Sequence, residues 1–195
     1  MKQALYLTAL PTVLLIVLLQ GCTAAVVTGA AAGASVAYDR RTSGIMIEDQ
    51  NIEFKVSSRF RDDPQINEQA HINATSINLV VLLTGETPTP DLRARAEEIA
   101  RGVPSVKRVV NELAVAAPSS MTARASDTLI TSKVKTHLLK VDLPEYTPER
   151  VKVVTEAGAV YLMGLVTRTE ANATIEETRR VGGVQRVVNV FEYID

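Results

Sequence analysis

Apolar residues recur every four positions at Ile52, Val56 and Phe60, the mark of one buried helical face. Asp49 stands where a cap would open that helix. The period then changes to two. Ile72 and Ala74 lead into a polar break at Ser76 to Asn78, and Leu79, Val81 and Leu83 follow. Two short alternating runs about such a break predict a β-hairpin. Pro90 opens a second helix with Leu92, Ala96, Ile99 and Ala100 on one side, and a valine-rich strand closes the unit near Asn111. The whole succession then returns. Ile130, Val134, Leu138 and Val141 form the helical stripe, with Ser126 or Asp127 as cap. Val151 and Val153, the break Glu156-Ala157-Gly158, then Val160 and Leu162 before a turn at Gly164 form the hairpin. Thr169 to Arg180, with Ala173 and Ile175 inward, forms the second helix.

The return is visible in the letters themselves. Val103-Pro104-Ser105-Val106-Lys107-Arg108-Val109-Val110-Asn111 is echoed by Val181-Gly182-Gly183-Val184-Gln185-Arg186-Val187-Val188-Asn189, 78 positions on. Solenoid units run to only about 20–50 residues, so this period describes one small domain written twice. Each copy reads α-β-β-α-β. A right-handed β-α-β crossover makes the last strand parallel to its neighbour. The predicted class is therefore α+β, with two helices on one face of a small three-stranded mixed sheet. Boundaries fall at 46–116 and 126–195, with 117–125 as linker around Pro118-Ser119-Ser120. A unit of roughly 70 residues buries only about 60% of its unfolded surface, so the halves are expected to pack against each other.

The first stretch is a targeting device. Lys2 precedes an apolar run from Leu5 to Leu19, too short and wrongly flanked for a membrane span. Residues 1–21 read as a signal peptide. Cys22 is the only cysteine, so no internal disulfide is possible. Leu19-Gln20-Gly21-Cys22 resembles the lipobox of bacterial lipoproteins, which implies cleavage before Cys22, a diacylglycerol thioether on its sulfur and an acylated amino terminus. The alternative is an ordinary signal peptide beside a stray thiol. Thr23, in place of an aspartate, implies by the same resemblance sorting to the outer membrane. Residues 22–45, rich in Ala, Gly and Val, read as a flexible tether rather than a helix-pairing GxxxG span. Arg40 and Arg41 at its end are candidates for contact with anionic headgroups.

The repeat signatures resemble the BON domain. They include Ser126-Asp127-Thr128, Ile130-Thr131, Lys133-Val134 and Val160-Tyr161-Leu162-Met163-Gly164-Leu165-Val166-Thr167. The match spans essentially the whole chain after the signal peptide, and the order of lipobox, tether and two units is that of dual-BON lipoproteins.

Charge and chemistry narrow the function. Residues 46–117 carry 8 basic and 11 acidic side chains, and 118–195 carry 10 of each. Neither half is the basic body of a nucleic-acid binder. No Cys/His cluster of metal-ligand spacing, nucleophile elbow or phosphate-cradling glycine loop occurs, so no metal, no cofactor and no catalytic residue is assigned. His71 and His137 are unmatched between the repeats. Adjacent carboxylates such as Glu97-Glu98 and Glu176-Glu177 point about 100° apart on a helix, which suits solvated faces. An enzyme is not expected.

The twins differ on one helical stripe. With Ile130 at the origin and about 100° per residue, Leu129, Lys133, Thr136 and Lys140 fall between about 240° and 300°. Ser132 borders that stripe, and Lys135 lies on the opposite shoulder. An apolar side chain among lysines can enter acyl chains while ammonium groups meet phosphates. The same phase in the first copy gives Asn51, Lys55, Ser58 and Asp62, without a wedge. Alternatively, Leu129 packs on the first domain and the lysines only solubilise. The BON resemblance favours lipid. It implies binding of anionic phospholipids such as phosphatidylglycerol or cardiolipin through this helix, with Leu129 where relatives carry an aromatic. It further implies a periplasm-facing outer-membrane protein that supports envelope integrity and gathers at the division site. Contact with the outer-membrane protein assembly machinery or with the regulation of septal amidases is implied as well. The other class left open is a protein-binding envelope adaptor.

Overall fold

A computed structural model describes residues 39–195, and Arg40–Asp195 form one compact unit. Cys22, the signal peptide and nearly all of the segment read as tether lie outside the described residues. The first domain runs α1 (Ser43–Asp62), α2 (Pro64–Gln69), β1 (His71–Ile77), β2 (Val80–Thr87), α3 (Pro90–Arg101), β3 (Arg108–Asn111) and β4 (Ala114–Val115). The second runs α4 (Met121–Leu138), a short 3₁₀ turn (Pro148–Arg150), β5 (Lys152–Glu156), β6 (Ala159–Val166), α5 (Arg168–Arg179) and β7 (Arg186–Tyr193).

The topology follows the predicted pattern. β1 pairs antiparallel with β2, and β3 lies parallel on β2's other side. β5, β6 and β7 repeat that arrangement. In the first domain a break at Glu112-Leu113 divides the last strand, so that β4 continues the parallel pairing at Glu86 and Thr87. Alternation along the central strands divides their side chains between two cores. Val81 and Leu83 face Ile52, Val56, Phe60, Leu92 and Ala96 beneath the helices. Val160 and Leu162 do the same with Ile130, Val134, Leu138 and Ala171. The opposite faces meet each other: Ile77 and Leu82 pack with Ala159, Tyr161, Met163 and Val190. The result is four layers, helix–sheet–sheet–helix, with α1 and α4 on opposite outer sides. Each three-stranded sheet would otherwise expose an apolar face, and stacking the two removes both from water.

Both predicted caps are corrected. Thr42 caps α1 through a bond from the Ile45 N–H, and Ser120 caps α4 through one from Ala123. Residues 43–45, assigned to the tether, and 121–125, assigned to the linker, are therefore helical. Asp49 and Asp127, 78 apart, lie two turns inside their helices and are buried. Each carboxylate instead accepts from the hairpin loop of its own sheet. Asp127 takes the Ala157 and Gly158 N–H groups at 3.0 and 2.9 Å. Asp49 takes those of Asn78 and Leu79, both at 2.8 Å, and the Ser76 hydroxyl at 2.7 Å. A helix cap and a helix-to-turn anchor use the same residue type, and only the chain's path distinguishes them.

Four further expectations change. Leu79, read as a strand residue, sits in the loop at φ 68° beside Asn78 at 52°, and the matching loop holds Ala157 at 49° and Gly158 at 74°. Two consecutive positive φ angles are what a tight two-residue hairpin requires. Gly164 is not a turn but lies inside β6, as Gly85 lies inside β2. A Cβ there would run into the Arg150 carbonyl, and at Gly85 into that of His71. On α5 the buried face is Ala171, Thr174 and Thr178, whereas Ala173 is only half-buried. The two threonines can face inward because each hydroxyl donates to the carbonyl four residues earlier, at 2.7 Å. Finally, α4 ends at Leu138, which leaves Val141 and Lys140 in the following loop.

Candidate functional site

α4 is held by its inner stripe: Ile130, Val134 and Leu138 are buried, and Asp127 ties it to the β5–β6 loop. That fixes which side faces water. Leu129 is 63% exposed, so it does not pack on the first domain. Ser132, Lys133, Lys135 and Thr136 are exposed beside it, and so is Lys140 just beyond the helix. The hydroxyls on this side are turned inward. Thr128, Ser132 and Thr136 each donate to the carbonyl four residues earlier, at 3.0 Å. Their polar capacity is spent on the helix itself, which lowers the cost of covering this face.

Met121 and Leu139, at the two ends of α4, are 78% and 69% exposed. The helical wheel missed both, because Met121 precedes the assumed helix start and Leu139, at about 180°, falls outside the chosen stripe. Apolar side chains thus stand at the beginning, middle and end of the segment, with Arg124 in the first interval and Lys133 and Lys135 in the second. The first domain differs at the equivalent cation: Lys55, 78 positions before Lys133, stands 3.9 Å from Glu48. It also carries wedges that the chosen phase overlooked. Ile47 is 62% and Phe54 69% exposed, seven residues apart on one outward stripe of α1. The stripe in phase with Leu129, at Asn51, Lys55, Ser58 and Asp62, bears no wedge; the exposed apolar residues of the first copy stand beside it on α1. What distinguishes the second helix is the company of its wedges, which is cationic.

Arg40 and Arg41 are not available to headgroups. Arg40 forms a two-pronged bond with Glu170, at 2.6 and 3.0 Å, and Arg41 meets Asp49 at 2.7 Å.

Between the domains lies a polar cleft of about 290 Å³ that His71, Arg124 and Glu156 help to line. Burial, seconded by the Arg124 charge, holds the His71 imidazole below its ordinary value. Burial raises the Glu156 carboxyl, although Asn73 donates to it at 3.2 Å. Among the described residues no three acidic, His or Cys side chains are grouped to hold a metal ion, and no helix is long and apolar enough to cross a membrane.

Residues 48–117 and 126–195 each match the BON domain. The chain belongs to the BON-domain family. It is 40% identical over 92% of its length, and 92% of the relative's, to the outer membrane lipoprotein DolP of Haemophilus influenzae. It is 33% identical to a 21 kDa hemolysin of Actinobacillus pleuropneumoniae, covering 80% of this chain and 79% of that one. Osmotically-inducible protein Y of Escherichia coli is 31% identical, with 83% and 81% covered. The near-full-length likeness to DolP supports an outer-membrane lipoprotein with two BON domains. Arg40, Arg41 and the first turn of α1 precede the first BON match.

Proposed function

We propose that this BON protein is a non-enzymatic lipoprotein, acylated at Cys22, that binds anionic phospholipids through α4 of its second domain. The observation that carries the reading is the outward placing of Leu129 and Lys133 on one side of α4, with Lys135 exposed on its other shoulder and Lys140 exposed just beyond its end. None of these lysines shares a salt bridge with a described residue. Each lysine near an anionic surface contributes roughly 1 kcal/mol, and burying one leucine about 1.5–3 kcal/mol. Such a contact is reversible and salt-sensitive by itself. Added to a lipid anchor, it selects which region of the membrane the protein occupies. Phosphatidylglycerol and cardiolipin are the candidate lipids. From the family resemblance the reading extends to envelope maintenance at the division site.

A second reading has its own support. Ile47 and Phe54 on the opposite outer layer are an apolar stripe among charges of both signs, Lys55 beside Glu48 and Arg61 next to Asp62 in sequence, which suits a protein partner such as the outer-membrane assembly or peptidoglycan-remodelling machinery. Co-sedimentation of the unlipidated chain with vesicles separates the two. At low salt it should pellet with phosphatidylglycerol-rich vesicles and remain in solution with neutral ones. Leu129→Glu, or Lys133→Glu with Lys140→Glu, should remove most of the binding, and Asn51→Glu should leave it intact. Equal behaviour on acidic and neutral vesicles would leave the adaptor reading in its place.

A further inference from the structure

We infer that Arg40 and Arg41 form a clamp between the two domains, bolting the point where the chain leaves its anchor onto the second domain. In sequence the first domain stands between Cys22 and α4. In space the arrangement is different. The Arg40 guanidinium lies across Glu170 in the first turn of α5 and also donates to the Leu165 carbonyl at the end of β6, at 3.1 Å. The next residue turns the other way, and Arg41 reaches Asp49 in the first domain. Two successive arginines thus each neutralise a carboxylate whose side chain is at most 7% exposed, one in each domain.

Glu170 is built to receive this partner. Its carboxylate also accepts from the Thr167 N–H at 2.8 Å and from Arg150 at 3.2 Å. Burial alone would raise its pKa, but the Arg40 and Thr167 hydrogen bonds outweigh burial and hold it below the ordinary carboxylate range. Arg40 precedes both BON matches. The same end of the second domain carries the loop after α4, where Leu143 and Glu145 line a shallow pocket with Arg40.

The consequence rests on the lipid reading of α4. With the clamp closed, the second domain is fastened to the chain eighteen residues after Cys22, a stretch that spans at most about 60 Å when fully extended. The α4 face is then presented to the anchoring bilayer at a high effective concentration. With the clamp open, the stacked sheets still join the domains, but the chain from the anchor is fixed only from the start of α1 at Ser43, and the second domain loses its direct tie to it.

The test uses the lipidated full chain in vesicles, with nitroxide labels on Ser43→Cys and Asp142→Cys, both in described segments. The parent chain should give one narrow distance distribution. Arg40→Gln and Glu170→Gln should each broaden it, since the start of α1 then loses its tie to α5. Thr167→Ala removes the α5 cap without touching Arg40 and should lower thermal stability while leaving the distribution narrow. A parent distribution already as broad as that of Arg40→Gln, or equal broadening by Thr167→Ala, overturns the clamp. In the unlipidated chain Arg40→Gln should leave vesicle binding unchanged, whereas in the lipidated chain it should lower bilayer protection of α4. Absence of vesicle binding by the unlipidated parent would refute the lipid reading and leave the distance result to decide the clamp alone.

Discussion

Asp127→Ala probes the device that both repeats share. The carboxylate is 7% exposed and accepts two successive N–H groups of the β5–β6 loop, from Ala157 at 3.0 Å and Gly158 at 2.9 Å. Hydrogen bonds to a charged group each contribute about 1.5–3 kcal/mol net, and donors stranded in the interior cost a similar amount. Relief of the buried carboxylate's own desolvation offsets part of that loss, so the expected destabilisation is about 2–4 kcal/mol. For a folded unit of this size, 1 kcal/mol shifts the melting temperature by roughly 2–4 °C, which places the drop at roughly 5–15 °C. Asp127→Asn keeps one acceptor and should fall between the alanine variant and the parent. The assay is urea and thermal unfolding paired with amide hydrogen exchange. Exchange should accelerate at Ala157 and Gly158. Ser120→Ala, which removes the true cap, should cost only about 1 kcal/mol and act on the first turn of α4. A loss below about 1 kcal/mol for Asp127→Ala, or faster exchange at the helix start instead of the loop, would refute the anchoring role.

Gly164→Ala should unfold the second domain or cost more than about 3 kcal/mol, because a Cβ meets the Arg150 backbone and φ is +152°. Circular dichroism of the purified variant checks this, and a parent-like melting curve contradicts it. For His71, the folded pKa is depressed below the ordinary 6.5, so the unfolded chain takes up the proton first. Its stability contribution is complete above that value and declines as pH falls through the window beneath it. Besides burial, Arg124 opposes the proton and Glu86 favours it. Glu156 in the same cleft is raised and works in the opposite direction at lower pH. The difference between parent and His71→Gln urea midpoints across this window therefore isolates the imidazole. An imidazole NMR titration midpoint at or above 6.5 would contradict the reading.

The repeat, the α-β-β-α-β order and the parallel closing strand were legible in the sequence because each rests on a local period or on chain handedness. Ile52, Val56 and Phe60 declared a helix wherever it would pack, and the 78-residue echo declared two of everything. The exposed Leu129 among lysines was legible for the same reason, since a helix's outward side is fixed once its inward stripe is known. What needed the tertiary structure were choices made between distant residues. Asp49 and Asp127 have the chemistry of caps, and only the return of a hairpin loop to the helix turns them into anchors. Met163 and Leu82 alternate as any strand residue does, and nothing local says that they meet across two stacked sheets. Ile47 precedes the cap expected at Asp49, so its outward place on α1 depended on the true cap at Thr42, whereas Phe54 was legible by the same wheel as Leu129. Arg40 stands eighteen residues after Cys22 in sequence, and its partner Glu170 is 130 positions away. A pairing across that separation leaves no trace in local spacing, because the free energy that selects it comes from burial and hydrogen bonding that exist only once the chain has folded.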